Sequence, residues 1–237
     1  EESFVTPPDP LSDIISRLIA RARSKPRVIV LPESGDDRVL SAADRLVRQK
    51  IARVLLLGDE GVVRARGSAL GLDLDGCAIE DPLRSERAES MAAVYHERAR
   101  SRGVTLEEAR REARDPLLFG ALLVKTGGAD GSVAGAANTT ADTLRAALRA
   151  IGPAEGTRTV SSCFLIVVPR TEFGEKGAFI YADCGLVPEP TADQLAEIAI
   201  QSAGTARLLM QAEPRVAMLS YSTKGSATHP SIGRVQA

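Results

Sequence analysis

The chain has 237 residues, 44% of them hydrophobic, with 30 Lys and Arg against 31 Asp and Glu and a formal net charge of -1. That length and apolar content suit one large α/β domain or two compact ones and exclude a disordered or fibrous chain; the balanced charge, without long like-charge runs, gives no reason to expect nucleic acid or an anionic membrane as partner. No basic region followed by an apolar stretch opens the sequence, and its longest apolar runs, such as Phe164 to Val168, are too short to span a bilayer, so a cytoplasmic protein is expected.

Position 1 is not Met, and Thr6-Pro7-Pro8-Asp9-Pro10 reads as a stiff extended linker, as if the sequence begins inside a longer protein. Residues 12–22 have helical spacing, with Ile14, Ile15, Leu18 and Ile19 on one side and Arg17, Arg21 and Arg23 elsewhere. The run Val28-Ile29-Val30-Leu31, ended by Pro32, predicts a parallel strand buried on both faces, and residues 37–49 follow as a helix. Val54-Leu55-Leu56-Leu57, ended by Gly58-Asp59, repeats the pattern with a helix over 60–70, and two such units imply a parallel sheet. Residues 83–102 and 105–113 predict charged helices, the second opened by a capping box of Thr105 and Glu108. An apolar helix over 117–125 stops at Gly127-Gly128. A short strand at Ser132-Val133-Ala134 then runs into the small-residue loop 135–140, followed by a helix over 141–150.

Gly152-Pro153 and Gly156 break this pattern. Beyond them, 162–168 and 178–181 read as an antiparallel hairpin around the turn 171–177, and this change of strand style marks the candidate domain boundary. Thr191 and Gln194 form a second capping box opening the longest helix, whose stripe of Leu195, Ile198, Ala199, Ser202, Ala203, Ala206 and Leu209 suits close core packing. Val216-Ala217-Met218-Leu219 predicts a further buried strand. His229-Pro230-Ser231 reads as a loop leading to an N-cap, after which only a turn or two of helix fits, leaving an α/β unit unfinished.

Cys77, Cys163 and Cys184 are widely spaced and odd in number, which argues against a disulfide framework; they are expected to be reduced and mostly buried. His96 and His229 form no His-rich cluster, so no dedicated metal site is expected.

Two loops occupy the place where open α/β sheets bind ligands, beyond strand ends and before helix N-termini. The first, residues 135–140, offers backbone amides, the Asn138 amide and the Thr139 and Thr140 hydroxyls, with Arg145 in the following helix. It reads equally as a phosphate or acyl phosphate cradle and as a tight turn with Thr140 as N-cap. The second is Ser220-Tyr221-Ser222-Thr223-Lys224-Gly225-Ser226, whose density of hydroxyls around a Tyr and a Lys favours a ligand loop over a solvated turn. Neither a Walker loop nor G-x-G-x-x-G is present, so ATP and dinucleotides lose their usual support. Arg38 and Arg98 are candidate anion clamps, although solvated or paired side chains are the commoner fate of such arginines.

Read together, Val30-Leu31-Pro32-Glu33 with Arg38, the run from Ala129 to Thr140 with Thr143-Leu144-Arg145, and Tyr181-Ala182-Asp183-Cys184-Gly185 resemble phosphotransacetylases. The segments from Leu195 to Ala203 and from Pro214 to Ser226 are similar to that family almost residue for residue, and the likeness runs from about Arg27 to Ser226. The resemblance implies two α/β domains with a cleft between them, the fold of the isocitrate and isopropylmalate dehydrogenases without a nicotinamide, over 11–151 and, incompletely, 152–237. It implies a homodimer that moves an acetyl group between acetyl phosphate and coenzyme A, with coenzyme A as substrate and no tightly bound cofactor. Arg98 and Arg145 match the family's cleft arginines, Asn138, Thr139 and Thr140 its acyl phosphate loop, and Tyr221, Ser222, Thr223, Lys224, Gly225 and Ser226 its second substrate loop. Ala146 departs from the proline that commonly follows the arginine. The family's Ser-Arg pair and the aspartate after it belong to a later segment, so no general base is assigned. Direct thiolate attack in a ternary complex is expected; an acyl-enzyme on Cys163 or Cys184 would need a thiol pKa lowered by nearby cations. The alternatives are a non-catalytic acetyl-CoA-sensing domain of the same family and a phosphate butyryltransferase.

Overall fold

A computed structural model describes residues 10–222 and 224–237. The segment read as a linker lies outside them except for Pro10, and so does Thr223. The chain divides into two compact units: one comprises residues 19–152, and the other runs from Pro153 to Ala237 together with the described residues up to Leu18.

The larger unit is built on a four-stranded parallel sheet in the order β3-β2-β1-β4, with β1 at Val28–Leu31, β2 at Arg53–Leu57, β3 at Ala78–Glu80 and β4 at Gly131–Ser132. Side chains alternate across a strand, so a run that is apolar at every position needs cover on both faces. Val30, Leu55 and Leu57 enter a core with Met91, Tyr95, Phe119, Leu122 and Ala150. Leu31, Val54 and Leu56 enter a second core with Leu40, Ala43, Val63 and Leu74. The first core belongs to α4 (Ala88–Ala99), α6 (Pro116–Thr126) and α7 (Thr140–Ala150), the second to α2 (Asp37–Arg48) and α3 (Glu60–Ala69).

Local chemistry sets the element ends. Asp36, Asp59, Asp115 and Thr139 each cap a helix N-terminus with a side-chain oxygen. The expected capping box of Thr105 and Glu108 opens α5 (Leu106–Glu112). Gly58, after β2, has φ +151°, and a Cβ there would lie 2.7 Å from the Ser34 hydroxyl. That hydroxyl is buried and donates to the Leu57 carbonyl, so strand end and neighbouring loop are fastened together around a residue with no side chain.

Three expectations for this unit are corrected. The helix expected from residue 83 begins at Ala88, because Asp81 accepts from the Leu83 N–H and Ser85 from the Arg87 N–H, and these local bonds hold turns instead. It also gives way to a 3-10 turn at Arg100–Arg102. The strand expected at 132–134 is only Gly131–Ser132; one further bond, from the Val133 N–H to the Val30 carbonyl, closes the ladder before the chain turns away. The short edge strand β3 escaped the sequence reading because only Ala78-Ile79-Glu80 carries it.

The smaller unit holds an antiparallel hairpin of β5 (Cys163–Val167) and β6 (Ala178–Ala182), with Cys163 opposite Ala182 and Val167 opposite Ala178. The longest helix, α8 (Ala192–Met210), opens with the expected box of Thr191 and Gln194. Ile14 from α1 (Pro10–Ser24), Ala178 and Met210 form a small core with Leu165, Ile180 and Ala206 around it. Of the expected stripe on α8 only Ile198 is fully buried. Residues 216–219 form no strand: Val216, Met218 and Leu219 are exposed, Leu219 by 72%, because no described strand offers them a ladder. Helix α9 (Pro230–Gln236) is capped by His229 with Pro230 at its start, two residues earlier than expected. All three cysteines are free, but only Cys77 is buried, so the expectation of mostly buried thiols fails for Cys163, which is exposed, and Cys184, which is half-buried.

Candidate functional site

Because β1 and β4 are neighbours, the loops leaving their C-terminal ends meet. Glu33, two residues beyond β1, is 7% exposed and sends its carboxylate across to the loop after β4. There one oxygen accepts from the N–H groups of Gly135 and Ala136, both at 2.8 Å, and the other from those of Ala137 and Asn138 at 2.9 and 2.8 Å. The Asn138 side-chain amide adds a fifth donor at 2.8 Å. Burial opposes the charge, but the Asn138 side chain and the Ala136, Ala137 and Asn138 N–H groups outweigh it and lower the Glu33 pKa to about 2.

The loop therefore does form a nest of converging amides, and the anion it holds is the protein's own carboxylate. Arg38 grips the same loop from its other side. Its guanidinium pairs with Asp36 and donates to the Ala136 carbonyl, while 73% of the side chain remains exposed.

Beyond the nest, Thr139 rather than Thr140 caps α7, accepting from the Asp142 N–H. The Asp142 carboxylate in turn accepts from the Thr139 hydroxyl and from Arg145, each at 2.6 Å. The Thr139 and Arg145 side chains hold that carboxylate below its ordinary pKa. Asp142 thus sets the direction of Arg145, whose side chain is 61% exposed, near a helix N-terminus that favours anions.

Arg98 is not brought to this loop. Its Nε lies 3.4 Å from the Arg149 carbonyl at the far end of α7, roughly 15 Å along the helix axis from Thr139. A Cβ on Gly152 would lie 2.6 Å from the Arg98 guanidinium, so Gly152 leaves room for it. A cation at a helix C-terminus is favourable for the macrodipole, which accounts for this placement without a ligand. Arg149 itself is pinned by Glu112 and the Tyr95 hydroxyl.

In the smaller unit the second candidate loop is held by its own hydroxyls: Ser220 accepts from the Ser222 N–H, and Ser222 from the Ala227 N–H. Lys224 and Gly225 have φ +50° and +80°, making the turn. Tyr221 stacks at a tilt on His229, 5.9 Å between ring centres, and both border a cavity of about 550 Å³ with Pro190, Ser231 and Arg234. Asp183 accepts from the N–H groups of Ser162, Gly185, Leu186 and Val187. Here too burial opposes the charge and these donors win, lowering its pKa to about 2. Cys163 beside it, although exposed as a residue, has its thiol pKa raised, by partial desolvation first and then by Cys184 and Asp183. Among the described residues no group of three His, Cys, Asp or Glu side chains could hold a metal ion, and no helix is long and apolar enough to cross a membrane.

Residues 13–237 match the family model described as phosphate acetyl/butaryl transferase. The chain belongs to that family. It is 49% identical over 213 residues to the phosphate acetyltransferase of Acetivibrio thermocellus, covering 90% of this chain and 64% of that relative. The phosphate acetyltransferase of Bacillus subtilis is 40% identical over 217 residues, covering 92% of this chain and 65% of that protein. A phosphotransacetylase from Streptococcus pyogenes superposes with a TM-score of 0.86 at 35% identity, over 94% of this chain and 66% of that one. The chain thus spans a little under two thirds of the length of these members of the transferase family. In the sequence Glu33 stood in a run that carries the resemblance but was given no role, and Asp142 was not singled out. An acidic residue two positions after a buried parallel strand, and another in a helix's first turn three before an Arg, were the available signals.

Proposed function

We propose that the chain serves a phosphate acetyltransferase, exchanging an acetyl group between acetyl phosphate and coenzyme A. The reading rests on the family match over residues 13–237, supported by the loop at the C-terminal edge of the sheet that carries Asn138 and Thr139 and runs into α7, whose first turns carry Thr140 and Arg145. The acetyl relatives favour acetyl over butyryl, which the family description also covers.

In this reading the phosphate of acetyl phosphate sits against the exposed Arg145 guanidinium and the first turn of α7. The first N–H groups of a helix have no intrahelical partner and point toward such an anion. Coenzyme A loses its thiol proton to a base, its sulfur bonds to the acetyl carbonyl carbon, and the bond from that carbon to the phosphate oxygen breaks, releasing acetyl-CoA and phosphate. Arg145 offsets negative charge growing on the departing phosphate. Glu33 and Asp142 do not supply the base, since Glu33 accepts five hydrogen bonds, Asp142 is paired with Thr139 and Arg145, and both carboxylates are held below their ordinary pKa. Arg38 adds positive field beside the loop. The loop of Tyr221, Ser222, Thr223, Lys224, Gly225 and Ser226 is assigned to coenzyme A, Arg98 is a cleft arginine on the family resemblance alone, and the assembly is a cytoplasmic homodimer.

The raised thiol pKa of Cys163 favours direct transfer over an acyl-enzyme. Initial rates of acetyl-CoA formation with both substrates varied test this: intersecting reciprocal plots are expected, with Cys163→Ser retaining the rate. Parallel plots together with an inactive Cys163→Ser variant would replace the proposal with a ping-pong route.

A further inference from the structure

Five donors from one loop converge on the carboxylate of a residue 102 to 105 positions earlier in the chain, and none of them is needed to complete a helix or a strand. Consecutive amides turned inward in this way repel one another unless an anion lies between them. A bound phosphate could play that part only when present. The Glu33 carboxylate is tethered in place, buried, and supplies both oxygens at all times.

We propose that Glu33 is the positioning residue of the acyl phosphate loop. Its carboxylate takes the N–H groups of Gly135, Ala136, Ala137 and Asn138 and one N–H of the Asn138 side chain, and so sets the conformation from which Asn138, Thr139 and α7 meet the substrate. The function of the loop rests on the phosphate acetyltransferase reading; the clamp itself rests first on the hydrogen-bond geometry. Three observations support it. The β1–α2 connection grips the loop twice, Glu33 on its N–H groups and Arg38 on the Ala136 carbonyl. The β1–β4 pairing brings the two loops into register. The low pKa of Glu33 keeps the clamp charged throughout the neutral range. A consequence for recognition follows: the amides of 135–138 are taken, so phosphate is read by Arg145 and the start of α7 rather than by this nest.

The test has two arms. In the unaltered protein, amide hydrogen exchange at residues 135–138 is expected to be at least about a hundredfold slower than in a free chain, although they lie in a loop. Free-chain exchange there overturns the clamp without any variant. In the second arm, Glu33→Gln replaces one acceptor oxygen with a donor facing the same N–H groups. It is expected to raise the KM for acetyl phosphate by about tenfold, to leave the KM for coenzyme A within about twofold, and to keep exchange at Val30 and Leu55 slow. An unchanged KM for acetyl phosphate overturns the positioning role. If the unaltered protein forms no acetyl-CoA, the functional reading fails by itself, and the exchange arm still decides the clamp.

Discussion

Arg145 has one guanidinium nitrogen fixed on Asp142 and most of its side chain in solvent, a state suited to receiving an anion without having to find its direction first. Arg145→Ala is therefore expected to lower kcat/KM for acetyl phosphate by about a hundredfold or more, the loss typical of one transition-state charge contact. Wild-type kinetics in that variant would contradict its assignment. Glu33 and Asp183 make a prediction about pH. Both have folded-state pKa values of about 2, below their ordinary values of 4.5 and 3.8, so each contributes stability that is present above pH 5 and lost as pH falls toward 2. For Glu33 the shift corresponds to roughly 3 kcal/mol. Denaturation midpoints measured from pH 7 down to pH 3 should fall steeply in the unaltered protein and less steeply in Glu33→Gln; equal slopes would show that the carboxylate is not held as described. Arg145 and the Asn-Thr-Thr run could be singled out as candidates in the sequence, whereas Glu33 stood in the run that carries the resemblance without a role, since that role depends on which strand lies beside β1.

The elements of the larger unit followed from residue patterns wherever the physics was local. Continuous apolar runs at β1 and β2 demanded two covered faces, and Thr105 with Glu108 closed the box that starts α5. Reading failed where a tertiary partner decides. The chain leaves β4 after one extra bond, and from Gly135 onward Glu33 rather than a strand takes its amides, while residues 216–219 have strand composition without a ladder neighbour among the described residues. Glycine placement offers a test at this scale. Gly58→Ala forces a Cβ against the Ser34 hydroxyl at a backbone angle that L residues rarely adopt, and should cost about 1–3 kcal/mol in a urea titration without altering the helices seen by circular dichroism. A cost near zero would mean that Ser34 does not fasten the β2 end.

At the scale of the molecule, the chain comprises two compact units that carry different candidate loops, residues 135–140 in one and 220–226 in the other. The change of strand style marked a candidate boundary near residue 152 and the family resemblance supplied the expectation of two α/β domains, but the grouping of the start of α1 with the smaller unit was not legible, because it depends on Ile14 packing against Ala178 and Met210. The first loop has internal order, its amides and hydroxyls paired with Glu33 and Asp142. The second is shaped by its own hydroxyls beside Tyr221 and His229. The measurement that bears most directly on the central claim is acetyl-CoA formation from acetyl phosphate and coenzyme A by the protein that carries these 237 residues at its natural length, with its intact mass determined on the same sample. Turnover that is saturable in both substrates and falls about a hundredfold or more in Arg145→Ala is the predicted result. A folded protein of verified mass that forms no acetyl-CoA, or one whose rate ignores Arg145, would contradict it.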